Sequence, residues 1–254
     1  MRKLLIAVTA MFVLGIAAVA YAQVTNTYTV SGSTNPTRAG SSSKAVPVSV
    51  KFGYTVGEAS GKRPSPVRKY SIRFAGLRVN TNAFTKCAAN RKPSQCPSKS
   101  IVGTGFITNA TGARNNPDDK SITCNAGLSV INNGSNKATI FVEGSPNQTD
   151  PRRRCAIELS SPIPARFIRA SGGAATSLEF TVPQSLLHPL PTLDNAVTSV
   201  TSTIKRLTTR RNGKTVGFFE STGGCVNGKR NLTVTFTPET GTPARAQRLA
   251  SCSR

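Results

Sequence analysis

The stretch NLTVTFTP, residues 231–238, alternates without a break. Leu232, Val234 and Phe236 fall on one side of an extended chain, and Thr233, Thr235 and Thr237 on the other. Successive side chains of a strand point to opposite faces, so a period of two specifies a half-buried β-strand and argues against a helix. The pattern recurs along the chain. Val46, Val48, Val50, Phe52 and Tyr54 share one face. Tyr70, Ile72 and Phe74 share another, before the register slips at Ala75-Gly76 ahead of Leu77 and Val79, as a β-bulge would produce. Further strand-like runs cover residues 101–108, 122–131, 138–143, 156–160, 165–170, 177–182 and 215–221. Asn133-Gly134, Asn212-Gly213 and Asn227-Gly228 adjoin such runs, and Asn-Gly is the strongest short hairpin signal because both central residues of a type I′ turn need positive φ. Short strands punctuated by Gly and Pro predict an all-β fold, an antiparallel β-sandwich of about ten or more strands.

Two segments read differently. Leu193, Ala196, Val197, Val200, Ile204 and Leu207 recur at helical spacing, but threonines and serines between them are poor helix formers. The expectation is an irregular first part, then a strand through IKRLTT into the Asn212-Gly213 hairpin. Residues 32–44, rich in Ser and Gly, are expected to be flexible loop.

The first residues bear on the compartment. Arg2 and Lys3 precede an apolar run from Leu4 to Ala20, which closes on Ala20-Tyr21-Ala22. This is the layout of a secretory signal peptide over residues 1–22, with an uncleaved anchor as the alternative. No later segment is apolar enough to span a bilayer as a helix, so no transmembrane anchor is expected after cleavage. Residues 23–254 are expected to form a single β-sandwich domain. The alternative is two sandwiches divided at the polar, turn-rich stretch of residues 109–120.

Cys87, Cys96, Cys124, Cys155, Cys225 and Cys252 all follow the cleavage site. An even number in an exported chain reads as a disulfide framework, and six cysteines allow fifteen pairings. Sequential pairing, 87–96, 124–155 and 225–252, is the expectation, since each bond then staples a local segment. Cys155 stands beside Arg152, Arg153 and Arg154, as a reactive thiolate would, but a bonded sulfur cannot be one. A protein-phosphatase signature would need arginine at 161, where the chain has Ser161.

Chemistry is thinly supplied. His188 is the single histidine, which argues against histidine triads and multi-histidine metal sites; a packed or loop role is expected. No cofactor is expected. Asp118-Asp119 could meet calcium only weakly in so basic a chain. Glu143, Glu158, Glu179 and Glu220 fall in strand-like stretches, leaving a carboxylate-based hydrolase as one alternative function. The protein is otherwise expected not to be an enzyme.

The formal charge is +23, from 33 basic and 10 acidic residues, and the leader's Arg2 and Lys3 carry two of those units. Such a field favours anionic partners, while also serving plain solubility. The densest groups are Arg152–Arg154, Lys205-Arg206, Arg210-Arg211 with Lys214, and Lys229-Arg230, and these are the candidate anion-binding residues. The absence of Trp and the four Tyr argue against base-stacking recognition, so no specific nucleic acid is expected. An anionic cell-envelope polymer is the expected partner class. A third function, carriage of a small apolar ligand between the sheets, would use VPQSLLHPLPTL as a mouth.

GLRVNTNAFTKCAANRKPSQCPSKSIVGTG resembles a recurrent block in exported proteins of high-GC Gram-positive bacteria, in which a Cys-to-Cys-Pro loop leads into a Ser-x-Val-Gly-x-Gly strand start. GKTVGFFESTGGCVNGKRNLTVTFT is similar to a later block of the same proteins. The resemblance implies export, a β-sandwich and structural cysteines, with a place outside the cell or at its wall. It brings no activity and no catalytic residues.

Overall fold

A computed structural model describes residues 25–89, 91–170 and 175–253. The expected signal peptide, residues 1–22, lies outside the described residues. In chain order the strands are β1 Asn26–Asn35, β2 Val46–Glu58, β3 Val67–Ala75, β4 Leu77–Val79, β5 Ile101–Ala113, β6 Ile122–Thr123, β7 Ala126–Gly134 and β8 Lys137–Gly144. They continue as β9 Leu159–Arg169, β10 Ala175–Thr181, β11 Leu193–Ile204, β12 Thr208–Arg211, β13 Lys214–Gly217, β14 Phe219–Ser221, β15 Lys229–Pro238 and β16 Ala244–Ser251. A single helical turn, α1 Gln184–Leu187, precedes β11. Among the described residues no helix is long and apolar enough to cross a membrane.

Fourteen strands form one antiparallel sheet in the order β16-β15-β3-β10-β9-β8-β7-β5-β11-β2-β14-β4, with β1 on β2 and β6 on β5; β12 and β13 pair separately. The sheet folds over on itself. Aromatic contacts bridge its halves: Tyr28 of β1 stacks on Phe236 of β15 at 4.2 Å, Tyr54 meets Tyr70 at 5.3 Å, and Phe52 meets Phe74 at 6.1 Å. The inner residues are the alternating apolar ones, and Tyr70, Phe218, Phe219 and Phe236 are fully buried. Each buried side chain of this kind stabilises the fold by about 1.5–3 kcal/mol. Burial also pushes the Tyr54 and Tyr70 hydroxyls well above the ordinary phenol range.

The three disulfides are Cys87–Cys96, Cys124–Cys155 and Cys225–Cys252. The tight turns divide instructively. Asn212-Gly213 and Asn227-Gly228 have φ of 48°, 72°, 49° and 70°, as a type I′ hairpin requires. At the third Asn-Gly, however, the turn is made by Ser135 and Asn136, at φ 50° and 60°, between the paired Gly134 and Lys137. Asn132 explains the shift. Its buried amide donates to the Thr81 and Thr85 carbonyls, and its side-chain oxygen accepts from the Gly134 N–H, drawing Asn133-Gly134 into a bulge.

Two other expectations are corrected. Residues 193–204 are not irregular but a twelve-residue strand, and the short hairpin strand begins only at Thr208. Residues 32–35 are not loop, since they pair with residues 49–52 of β2. Residues 109–113 complete β5 and pair with β11. At Gly76, φ +67°, the chain turns from β3, which pairs with β10 and β15, into β4, which pairs with β14.

The turn that follows β5 is fastened from two sides. Arg63, almost fully buried, donates to the carbonyls of Ala113, Asn116 and Asp119. Asp119 accepts from the backbone N–H groups of Ala113 and Ser121. The Ala113 N–H is the largest influence holding the Asp119 carboxyl down, at about 2 rather than 3.8. A lowered carboxylate favours the folded state above its unfolded value, and that contribution fades as pH falls through the folded one. The Ala113 amide should therefore stay protected from hydrogen exchange above pH 3.8 and lose protection toward pH 2, and Asp119→Asn should remove this pH dependence.

Candidate functional site

The outer face of β1-β2-β11-β5 carries three ranks of side chains, fixed by strand register. Ser33, Lys51, Thr203 and Thr104 form the first. Ser31, Gly53, Thr201 and Phe106 form the second, and Thr29, Thr55, Ser199 and Thr108 the third. Directly paired antiparallel residues project from the same face, so the ranks make one surface of hydroxyls interrupted by a cation, a glycine and one aromatic ring. The surface is hollowed. A trough of about 800 Å³ runs over Ser31, Gly53, Thr201 and Phe106, with Lys51, Arg248 and Arg152 among its lining. It continues, through shared Phe106, Arg152 and Thr201, into a recess of about 330 Å³ bounded by Thr108, Asn125, Pro151 and Ser199. Gly53 keeps the floor open: a Cβ there would stand 2.7 Å from the Val200 carbonyl oxygen and 3.1 Å from the Ser31 hydroxyl.

The Arg152 guanidinium lies over the Phe106 ring, 4.1 Å from its centroid. It is held there by Asp150, whose oxygens accept from Arg152 Nε at 3.0 Å and Nη2 at 2.8 Å. These bonds hold Asp150 below the usual carboxylate range and raise the Arg152 guanidinium. A planar cation stacked on a ring presents its remaining N–H edge to an anion. The turn carrying it is built by Asp150, which caps the Arg152 N–H, and by Asn125 N–H donation to the Arg154 carbonyl at 2.9 Å.

The structure distributes the expected basic groups unevenly. Of the candidate residues, Arg152 lines the trough. Arg153 crosses Gly127 and pairs with Glu143, while Arg154 donates to the Gln148 carbonyl. Arg206 donates to the Pro47 carbonyl and Arg211 to that of Asn82. Lys205, Arg210 and Lys214 are exposed, and Lys229 donates to the Ser251 hydroxyl. Arg230 is corrected outright. Only 4% exposed, it donates to Thr34, Ser221 and the Gly223 carbonyl, and burial lowers its pKa. It is a packed residue, not part of an anion-binding surface. Lys51, Arg248 and Phe106 were not singled out from sequence; the alternation of Ser and Thr at outward positions was visible, but their ranks depend on which strands become neighbours.

Of the four carboxylates of the hydrolase alternative, Glu158 is exposed and the other three are engaged separately. Glu220 is buried against Arg78 and Asn80, Glu143 pairs with Arg153, and Glu179 accepts from Ser71. His188 packs between two acids, with Nδ1 2.9 Å from Asp194 and Nε2 2.9 Å from Glu239. It ties the end of α1 to the start of β11 and to the segment after β15.

No family model, curated protein or solved structure matches the chain. The fold and this surface therefore carry the functional reading.

Proposed function

We propose that this is an exported, non-enzymatic binding protein that holds an anionic, hydroxyl-bearing polymer along the trough of β1-β2-β11-β5, outside the cell or at its envelope. The observation that carries the reading is the juxtaposition of register-matched hydroxyl ranks with the Phe106–Arg152 stack and with Lys51 and Arg248. Rows of hydroxyls can exchange hydrogen bonds with a polyol or sugar chain. Cations along the trough neutralise its acidic groups, and the single ring offers one apolar platform rather than a ladder for successive bases. All six cysteines are bonded, which supports an oxidising compartment. The leader-like first residues and the resemblance to exported Gram-positive proteins support the same location.

The test is retention of purified protein on immobilised teichoic acid and on heparin. Lys51→Glu/Arg248→Glu should weaken binding much more than Arg91→Glu/Lys92→Glu, which changes the net charge equally. With about three ionic contacts, wild-type affinity should fall roughly ten- to fifty-fold between about 50 and about 200 mM salt. Phe106→Ala should lower affinity at constant charge. Equal retention of the two charge-reversed pairs would show that binding follows total charge, and would overturn the assignment to the trough.

A further inference from the structure

The inner faces of the sheet enclose a second, apolar space. Phe52, Ile107, Leu128, Phe180 and Val197 are among the walls of a chamber of about 80 Å³. Beneath α1 lies a cleft of about 210 Å³, floored by Cys124 and Cys155. Leu159, Leu186 and Asn195 line both, so they form the neck between cleft and chamber. At the cleft's rim stand Ile157 and Leu190, which are 41% and 52% exposed although large and apolar. VPQSLLHPLPTL does border this opening, through Ser185, Leu186, Pro189, Leu190 and Leu193.

Two buried polar atoms in the chamber wall lack a partner, the Tyr70 hydroxyl and Asn109 Oδ1. Asn109 donates its amide N–H to the Cys124 carbonyl, which fixes which end of the amide is oxygen. Its Oδ1 is buried and accepts nothing. The other polar groups of the neck are satisfied: Thr111 donates to Asn195 Oδ1 at 2.7 Å, and Asn195 Nδ2 donates to the Leu186 carbonyl at 2.8 Å. A buried acceptor without a donor is costly, and a guest that supplies one recovers that cost. Apolar walls with a few polar groups are the composition of a small-molecule site.

We infer that the cleft and chamber bind a single-chain amphiphile, its alkyl chain along the apolar walls and an O–H or N–H of its head donating to Asn109 Oδ1. The chamber lies on the inner face and the trough on the outer; Phe52 and Ser202 border both, whereas, of the two, Asn109 borders only the chamber and Lys51, Arg152 and Arg248 only the trough.

The probe is N-phenyl-1-naphthylamine, whose fluorescence rises in apolar surroundings, displaced from the full chain by decan-1-ol or by 1-methoxydecane, which lacks the donor. Wild type should bind decan-1-ol about ten-fold more tightly than the ether, the effect of one buried hydrogen bond. Asn109→Ala should bring the two within about two-fold. Leu186→Trp should close the neck and abolish displacement. Because that change could disturb folding, Ile157→Glu/Leu190→Glu at the exposed rim provides a second test, and should weaken both ligands alike while leaving teichoic-acid retention intact. Failure of either ligand to displace the probe, equal affinity for both in wild type, or indifference to the rim and neck changes would each overturn the inference. Loss of polymer binding alone would bear only on the trough.

Discussion

Replacing Glu220 by alanine is expected to cost about 2–4 kcal/mol of folding free energy, less than breaking a fully buried ion pair because the Arg78 side chain keeps a third of its surface exposed. Glu220 sits at the centre of β14, hydrogen-bonded between β2 and β4, with its side chain 3% exposed. Its Oε2 accepts from Arg78 Nε at 3.1 Å, Arg78 Nη2 at 2.6 Å and Asn80 Nδ2 at 2.8 Å, and its Oε1 from the Gly217 N–H at 2.9 Å. Alanine would leave the Gly217 N–H without its acceptor and the Arg78 guanidinium without its counter-charge. The neighbouring Phe218 and Phe219 are fully buried on one side of the carboxylate, while the exposed part of Arg78 can be rehydrated. Glu220→Gln keeps the shape and one acceptor but turns an N–H₂ toward donors, and should cost less, about 1–3 kcal/mol. Urea unfolding of the three proteins checks this. A Glu220→Ala loss below about 1 kcal/mol would mean that the pair's desolvation cancels its attraction.

Removing the Cys124–Cys155 bond, as Cys124→Ala/Cys155→Ala, is expected to cost about 3.5 kcal/mol. This follows from the loop-closure entropy of a 31-residue separation. Cys87–Cys96 spans 9 residues and should be worth about 2.5 kcal/mol on the same scale. The ranking is the sharper claim, because it depends on loop length alone. Equal losses would show that native packing, not chain entropy, sets the value of each bond. The longer bond should also matter to binding. Cys155 follows directly on the turn that holds Arg152 over Phe106, and its N–H donates to the Ser145 carbonyl at 3.2 Å. Loss of the bond should therefore weaken polymer retention as well as stability, whereas loss of Cys87–Cys96 should affect stability alone. Peptide mapping without reduction should find the three pairs and no free thiol.

Much of the fold was legible because it rests on local rules. Period-two alternation marks β2, β3 and β15, Asn212-Gly213 marks the β12–β13 hairpin and Asn227-Gly228 the turn into β15, since positive φ suits few other residues. The trough was legible only in part. Ser31 and Ser33, Thr104 and Thr108, and Ser199, Thr201 and Thr203 alternate visibly along their own strands, but nothing local brings β1, β2, β11 and β5 side by side. Arg152 was visible as part of a basic run. Arg248, near the other end of the chain, joins it because the strands converge on one hollow.

The misread segments share a cause. Asn195, Val197, Val200, Ser202 and Ile204 all line the inner chamber, and the register of β11 against β5 shifts between Val197 and Ser199. That bulge inserts one residue, so the inward set steps by three once and otherwise by two. A single step of three within an apolar strand imitates helical spacing, and only the neighbouring strand distinguishes them. Arg230 is the same lesson for charge. Beside Lys229 it reads as surface, yet strand alternation turns it inward, where Thr34, Ser221 and the Gly223 carbonyl receive its N–H groups. The sequence by itself determined most of the strands (but not β1, β11 or β16), two of the turns and the supply of bonded cysteines, because periodicity and turn chemistry act over a few residues. Strand neighbours, the bulge in β11 and the grouping of Lys51, Phe106, Arg152 and Arg248 were decided by tertiary structure, because each depends on pairing between residues far apart in the chain.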